Sequence, residues 1–246
     1  MNKNINAIIE DGHLGGFMSG GDPATWFPNL WNWLVKLFAI HSVIDIGCGQ
    51  GYAVNYFIKL GINAIGIEGS QEAINSNIAP YSVVQHDFYQ NAYTPNNPVD
   101  LIWSCEFLEH IDEQHLKNVL VTFQSATKAI VLTHAFPGQD GHHHVNCQPS
   151  TYWIGLIRHL GFKFSLRYTL LARYITMKDY HQMNHFGRSG LVFLVPREKP
   201  YKIEACNLAS IITTARNPSI ITMYYGIILK IENILLRGLR KLGCFK

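Results

Sequence analysis

The 246-residue sequence predicts an α/β fold in which helices cover both faces of a mostly parallel sheet. Three observations carry this expectation. Between residues 42 and 195, short apolar runs alternate with segments whose apolar residues recur at helical spacing. The runs are apolar throughout rather than at every second position, which suits strands buried on both faces. Glycines such as Gly47, Gly61 and Gly161 stand at the boundaries between them.

The elements follow in order. Glycines at 12, 15, 16, 20 and 21 and the pair Asp22-Pro23 mark an irregular arm. Thr25–Phe38 then has helical spacing, with Pro28 suited to a first turn and an end near Ala39. Ser42–Ile46 is the first strand and Tyr52–Leu60 the helix after it, stopped by Gly61. Ala64–Ile67 and Ser82–Gln85 are the second and third strands, with a short helix at Gln71–Asn77 between them. Val99–Trp103 is the fourth strand, after the turn-rich Thr94–Pro98. Leu108–Thr127 is expected to be helical, with Asp112 capping its second part. Ala129–Thr133 is the fifth strand and Pro149–Leu160 a helix. Phe164–Tyr168 and Leu191–Val195 are two closing strands, and Ile220–Leu242 reads as one long helix. The expected organisation is an arm and helix over 1–40, a core domain over 41–199 and a helical tail over 200–246.

Composition narrows the function. Hydrophobic residues make up 48% and charged residues 15%, which argues against disorder. The net charge of +3 is too small to imply nucleic acid, and it is concentrated at one end. Residues 200–246 carry seven Lys and Arg against two acids. Five cysteines, an odd number with no C-x-x-C spacing, suit thiols in a reducing compartment. With no apolar run at the N-terminus and none of membrane-spanning length, a cytoplasmic location is expected.

The chemistry starts at V-I-D-I-G-C-G-Q-G-Y, residues 43–52. Gly47 and Gly49 let a ligand approach the backbone, and Gly51 lets the next helix sit close to the strand. That helix begins at Tyr52 and presents free N–H groups. Asp45, just inside the strand, would repel a pyrophosphate but suits a cationic amino-acid ligand. This favours S-adenosylmethionine over a dinucleotide.

These residues resemble motif I of the class I S-adenosylmethionine-dependent methyltransferases, and the resemblance continues over roughly residues 40–170. It implies a Rossmann-like fold with a seven-stranded sheet. It also implies that Asp45, Gly47, Cys48, Gly49, Gly51 and Tyr52 hold the cofactor with Glu68, Gly69, Asp87, Phe88, Ser104 and Glu106. Glu68 would accept from the ribose hydroxyls. Asp87 would lie near the adenine amino group, and Phe88 against the ring.

The segment S-C-E-F-L-E-H-I, Ser104–Ile111, adds a second feature. On a helix, Glu106, Glu109 and His110 would share one face, at a sheet edge where two carboxylates and an imidazole can grip a divalent ion. The loop G-H-H-H-V-N follows the fifth strand and opens on the same edge, with His143 and His144 ranked above His142. This set resembles two groups of metal-dependent O-methyltransferases. One acts in the ubiquinone pathway, the other on the terminal 2′-hydroxyl of small RNAs. The resemblance implies Mg²⁺ or Mn²⁺ on Glu106, Glu109, His110, His143 and His144, with His110, Glu109 and His144 as catalytic residues. The same E-H pair also occurs in relatives that bind no metal. The longer pattern Thr133–Trp153, with Gly21–Trp26, is similar to methyltransferase-domain proteins associated with glycan gene sets. That suggests a sugar or other small polyol as acceptor, through Asn146 and Gln148 among others.

The arm Gly12–Phe27 is expected to act as a lid with glycine hinges. His13, Trp26 and Phe27 either pack or touch the acceptor, while His181 and His185, between the last two strands, are either acceptor contacts or surface-loop histidines. Trp31 and Trp33 are expected to pack. The tail helix has a broad apolar stripe with Lys230, Arg237, Arg240 and Lys241 in its second half. Docking on the domain, pairing as a homodimer and peripheral membrane contact all fit it.

Overall fold

The computed structural model describes residues 12–14, 16–177, 179, 184–196, 215–216 and 220–241. Seven strands form one sheet: β1 (Ser42–Ile46), β2 (Asn63–Glu68), β3 (Val83–Gln85), β4 (Val99–Ser104), β5 (Ala126–Leu132), β6 (Lys163–Phe164) and β7 (Leu191–Leu194). Their order is β3-β2-β1-β4-β5-β7-β6. The pairs among β1 to β5 are parallel, and β7 runs antiparallel to both β5 and β6. The helices are α1 (Pro28–Phe38), α2 (Tyr52–Lys59), α3 (Gln71–Asn75), α4 (Leu116–Phe123), α5 (Ser150–His159), α6 (Leu166–Thr176), α7 (His185–Ser189) and α8 (Ile220–Lys241). Among the described residues no helix is long and apolar enough to cross a membrane.

Strand alternation splits the core into two layers. Ile44, Ile46, Ile102, Ile130 and Leu132 face α4 and α5 and pack with Leu120, Phe123, Trp153 and Ile157. Val43, Leu101, Trp103 and Val131 face α1 and α2 and pack with Phe27, Trp31 and Phe57. Because both faces are covered, the strands read as unbroken apolar runs. Phe27 is fully buried in the second layer, which gives it a packing role.

Two expected elements differ. No helix spans Leu108–Thr127. The chain makes one 3₁₀ turn at Leu108–His110 and then extends at Ile111, with φ −99 and ψ 114, which a helix cannot continue through. Asp112 caps the following turn through His115 N, and α4 starts only at Leu116. β5 then begins at Ala126, drawn into register by Val99 of β4. The strand expected at Phe164–Tyr168 ends at Phe164. The Ser165 hydroxyl accepts from Tyr168 N and starts α6 instead.

Candidate active site

The strand order reverses at β1, which has β2 on one side and β4 on the other. Ligands of open α/β sheets bind at such a switch point, outside the carboxyl ends of the strands. Two adjoining clefts lie there and share Gly16, Phe17, Gly47, Gly49 and Glu106. The smaller, about 90 Å³, is lined by Glu68, Gly69, Asp87 and Phe88. The larger, about 640 Å³, is lined by Asp45, Cys48, Gln50, Tyr52, Trp26 and Cys105 among others.

The glycine loop is shaped for close approach. Gly47 has φ +74, and a Cβ there would sit 2.5 Å from the Phe107 ring, so both the backbone and the space require glycine. Glu68 accepts from Gly49 N at 2.7 Å and from Ser70 N at 2.8 Å, which fixes its carboxylate at the end of β2. Asp45 is 4% exposed. Burial and the neighbouring Glu68 carboxylate push its pKa up to about 8. Of the cofactor residues expected from sequence, Gly51 and Ser104 line neither cleft: Gly51 packs against Val83 and Ala79, and Ser104 turns into the sheet. Ser104 is buried and donates its hydroxyl to the Ile46 carbonyl at 3.2 Å.

The arm closes over the smaller cleft. Leu14 packs on Gly69, where a Cβ would meet Leu14 Cδ2 at 2.5 Å. His13 Nε2 lies 3.1 Å from Asp87 Oδ1, and the His13 ring stacks on Tyr89 at 3.7 Å. The arm thus touches the acid expected to read the adenine amino group. Nothing local in the sequence indicates this contact, since its partners are 74 residues apart.

A second latch holds the arm further along. His185 places Nε2 3.0 Å from Asp22 Oδ2 and Nδ1 2.8 Å from Glu106 Oε2. Glu106 also accepts from the Thr133 hydroxyl at 2.9 Å. Burial alone would lower the His185 pKa, but the two carboxylates outweigh it and the net shift is upward. A raised folded-state pKa adds stability below the unfolded value of about 6.5, and that stability is lost as pH rises through the folded value. Replacing His185 with glutamine is therefore expected to lower the melting temperature by roughly 2–4 °C near pH 6 and by less at higher pH. Parallel melts across pH would show the gap narrowing; a constant gap would contradict the latch. His181 lies outside the described residues.

The metal-type residues separate into two groups. Ligand atoms of Glu109, His110 and His144 lie within 4.8 Å of one another. Backbone hydrogen bonds make this meeting: Val145 N and Asn146 N both donate to the Glu109 carbonyl, at 2.9 and 3.0 Å. Asn146 Nδ2 also donates to Ile111 O at 3.0 Å. Glu106 is instead drawn to His185 and Thr133, and His143 turns outward with Nε2 3.5 Å from the Tyr89 hydroxyl.

The electrostatics of the trio are unusual. Glu109 is 0% exposed, and neither carboxylate oxygen meets a hydrogen-bond donor. Burial, reinforced by Glu106, holds its carboxyl well above the usual range. His110 is pushed down to about 4 by burial and by His144, so it is neutral at pH 7. His144 Nδ1 lies 3.0 Å from the Gln139 carbonyl, so it carries the proton and leaves Nε2 with a lone pair. A sealed carboxyl group beside two imidazoles offers a donor set for a divalent ion.

The glycine loop, the acids ending β1 and β2, and the 3-2-1-4-5-7-6 sheet define a methyltransferase of class I fold. A family model described as a methyltransferase domain matches residues 22–164, more than half of the chain, so the protein belongs to that family of S-adenosylmethionine-dependent methyltransferases. No curated protein matches it. Among solved structures, a SAM-dependent methyltransferase from Archaeoglobus fulgidus is similar at TM-score 0.48 and 19% identity, over 71% of this chain and 95% of that one. Phosphoethanolamine N-methyltransferase 1 from Haemonchus contortus is similar at TM-score 0.50 and 11% identity, over 76% of this chain and 45% of that one. This chain thus aligns with less than half of the latter protein. At these identities the likeness is one of fold.

Proposed function

We propose that the protein transfers a methyl group from S-adenosylmethionine to a hydroxyl of a sugar or other polyol, assisted by a divalent cation. The observation that carries this reading is the Glu109, His110 and His144 trio, whose central carboxylate is sealed from water without a donor. Two imidazoles in the set suit Mn²⁺ better than Mg²⁺, which prefers oxygen ligands.

The chain's own groups divide the remaining work. Asp45 faces the larger cleft and receives the ammonium group of the donor. Glu68 accepts from the ribose hydroxyls, while Asp87 and Phe88 serve the adenine end. The arm, with Phe17 lining both clefts, excludes water and holds donor and acceptor in line, which methyl transfer needs more than covalent chemistry. A divalent cation supplies Lewis acidity, lowering the pKa of a hydroxyl that does not ionise at neutral pH.

A second reading has its own support. The larger cleft is lined by Asp22, Asp45, Glu106 and Asp179 with Trp26 and Tyr52, and by no Lys or Arg among the described residues. Acids and aromatic faces favour a cationic amine acceptor, which needs no metal. The same charge disfavours a nucleic-acid acceptor, whose phosphates would be repelled.

Methyl transfer to sugars and to amines, measured with EDTA and after adding Mn²⁺, separates the readings. Hydroxyl methylation lost in EDTA and restored by Mn²⁺ is expected. Full activity in EDTA on an amine would replace the first reading with the second. Calorimetric Mn²⁺ titration of the protein without donor gives a readout independent of turnover.

A further inference from the structure

We infer that α8 seats the protein on an anionic membrane surface, with its outer face entering the headgroup layer. The helix is apolar on two sides. Its inner side is docked on the domain: Thr222 and Leu229 are buried, Arg158 Nη1 donates to the Thr222 hydroxyl at 3.1 Å, and Asn233 Nδ2 donates to the Arg188 carbonyl at 3.2 Å. Its outer side presents Met223, Tyr224, Ile227, Ile231, Ile234 and Leu235, each between 51% and 68% exposed. At 100° per residue these six positions fall within an arc of about 120°. A surface helix docked along one face ordinarily turns polar residues outward. This one turns outward a stripe that water does not favour.

Charge identifies what covers the stripe. The α8 sequence holds Lys230, Arg237, Arg240 and Lys241 and one acid, Glu232. Glu232 faces inward, where the fully buried Arg173 donates Nη1 to its Oε2 at 2.9 Å. The helix's negative charge is thus taken up inside the protein, and its excess is cationic. Lys230 is exposed and stands at the edge of the apolar arc. Two copies paired across this stripe would gain apolar contact but no ion pair from Glu232, which Arg173 already holds. An anionic lipid surface meets both features, accepting the apolar side chains and attracting the cations. At 22 residues the helix is about 33 Å long, so it lies along the surface over its whole length. It is not apolar enough to cross. This inference does not depend on the acceptor or on a metal.

Co-sedimentation of the full chain with vesicles tests it. Vesicles of phosphatidylcholine with phosphatidylserine are expected to pellet the protein at least about tenfold better than phosphatidylcholine alone, with the difference lost at high salt. The double variant I227D/I231D is expected to stay in the supernatant while keeping the wild-type melting temperature and donor affinity. Failure to pellet with anionic vesicles would overturn the inference, and so would undiminished pelleting of I227D/I231D. So would a wild-type dimer in light scattering that I227D/I231D dissociates while vesicles stay unbound; a second copy would then own the face.

Discussion

Glu109→Gln is expected to raise the stability of the metal-free protein while lowering methyl transfer by about two orders of magnitude or more. The two effects have one cause. The Glu109 carboxyl is buried, meets no donor and lies beside Glu106, so its folded-state pKa is well above the unfolded value. A raised carboxyl pKa contributes stability that is present below the unfolded value and lost as pH rises toward the folded one. At pH 7 the wild type therefore carries an ionisation penalty that the neutral amide lacks. Removing it is worth about 1–3 kcal/mol, or several degrees in melting temperature. The gain should vanish near pH 4, where the carboxyl is protonated in both states. Mn²⁺ should reverse the order, because an ion that binds only the folded wild type stabilises it by an amount that grows with the logarithm of its free concentration over Kd. Melting both proteins at pH 4 and pH 8, with and without Mn²⁺, checks every sign. A glutamine variant less stable than wild type at pH 8 without metal would show that the carboxylate already has a partner.

The parts of this site that were legible in the sequence are the local ones. Ser42–Ile46 and the Gly47–Gly51 loop were read residue for residue, because a buried strand and a tight turn set their own composition within ten positions. Glu68 and Asp87 followed, since each ends or follows a strand paired in the same sheet. On a helix the E-x-x-E-H spacing would set Glu106, Glu109 and His110 on one face, but the segment makes only a single 3₁₀ turn at Leu108–His110. Glu106 stands outside that turn with a positive φ, and its amide bonds to Thr133 of a distant segment. Choosing His144 over His143 likewise depends on the Val145 and Asn146 amides meeting the Glu109 carbonyl. The His185 bridge joins positions 22, 106 and 185, with no shared period or motif to reveal it.

Asp45→Asn is expected to weaken S-adenosylmethionine binding by about tenfold to a hundredfold, the worth of one charge-assisted hydrogen bond. Its pH dependence is the stronger test. Without ligand, burial and Glu68 hold Asp45 at a pKa of about 8, so the carboxyl is largely protonated at pH 7. A donor ammonium placed against it stabilises the ionised form, and binding must then expel a proton. Affinity should rise with pH by up to about tenfold per unit below pH 8. It should level off near the point where the donor's own amino group begins to lose its charge, about 8 on the model-peptide scale. The asparagine variant has no proton to release and should show a flat profile over that range. The same residue makes the ligand-free protein less stable as pH rises from 4 to 8, because its folded pKa exceeds the unfolded one. Donor binding should recover that loss, so thermal stabilisation by S-adenosylmethionine should be larger at pH 8 than at pH 6 in the wild type alone. Calorimetry in buffers of different ionisation enthalpy counts the released protons directly. Release of none at pH 7 would mean that Asp45 is already ionised before the donor arrives, or that the ammonium group lies elsewhere in the larger cleft.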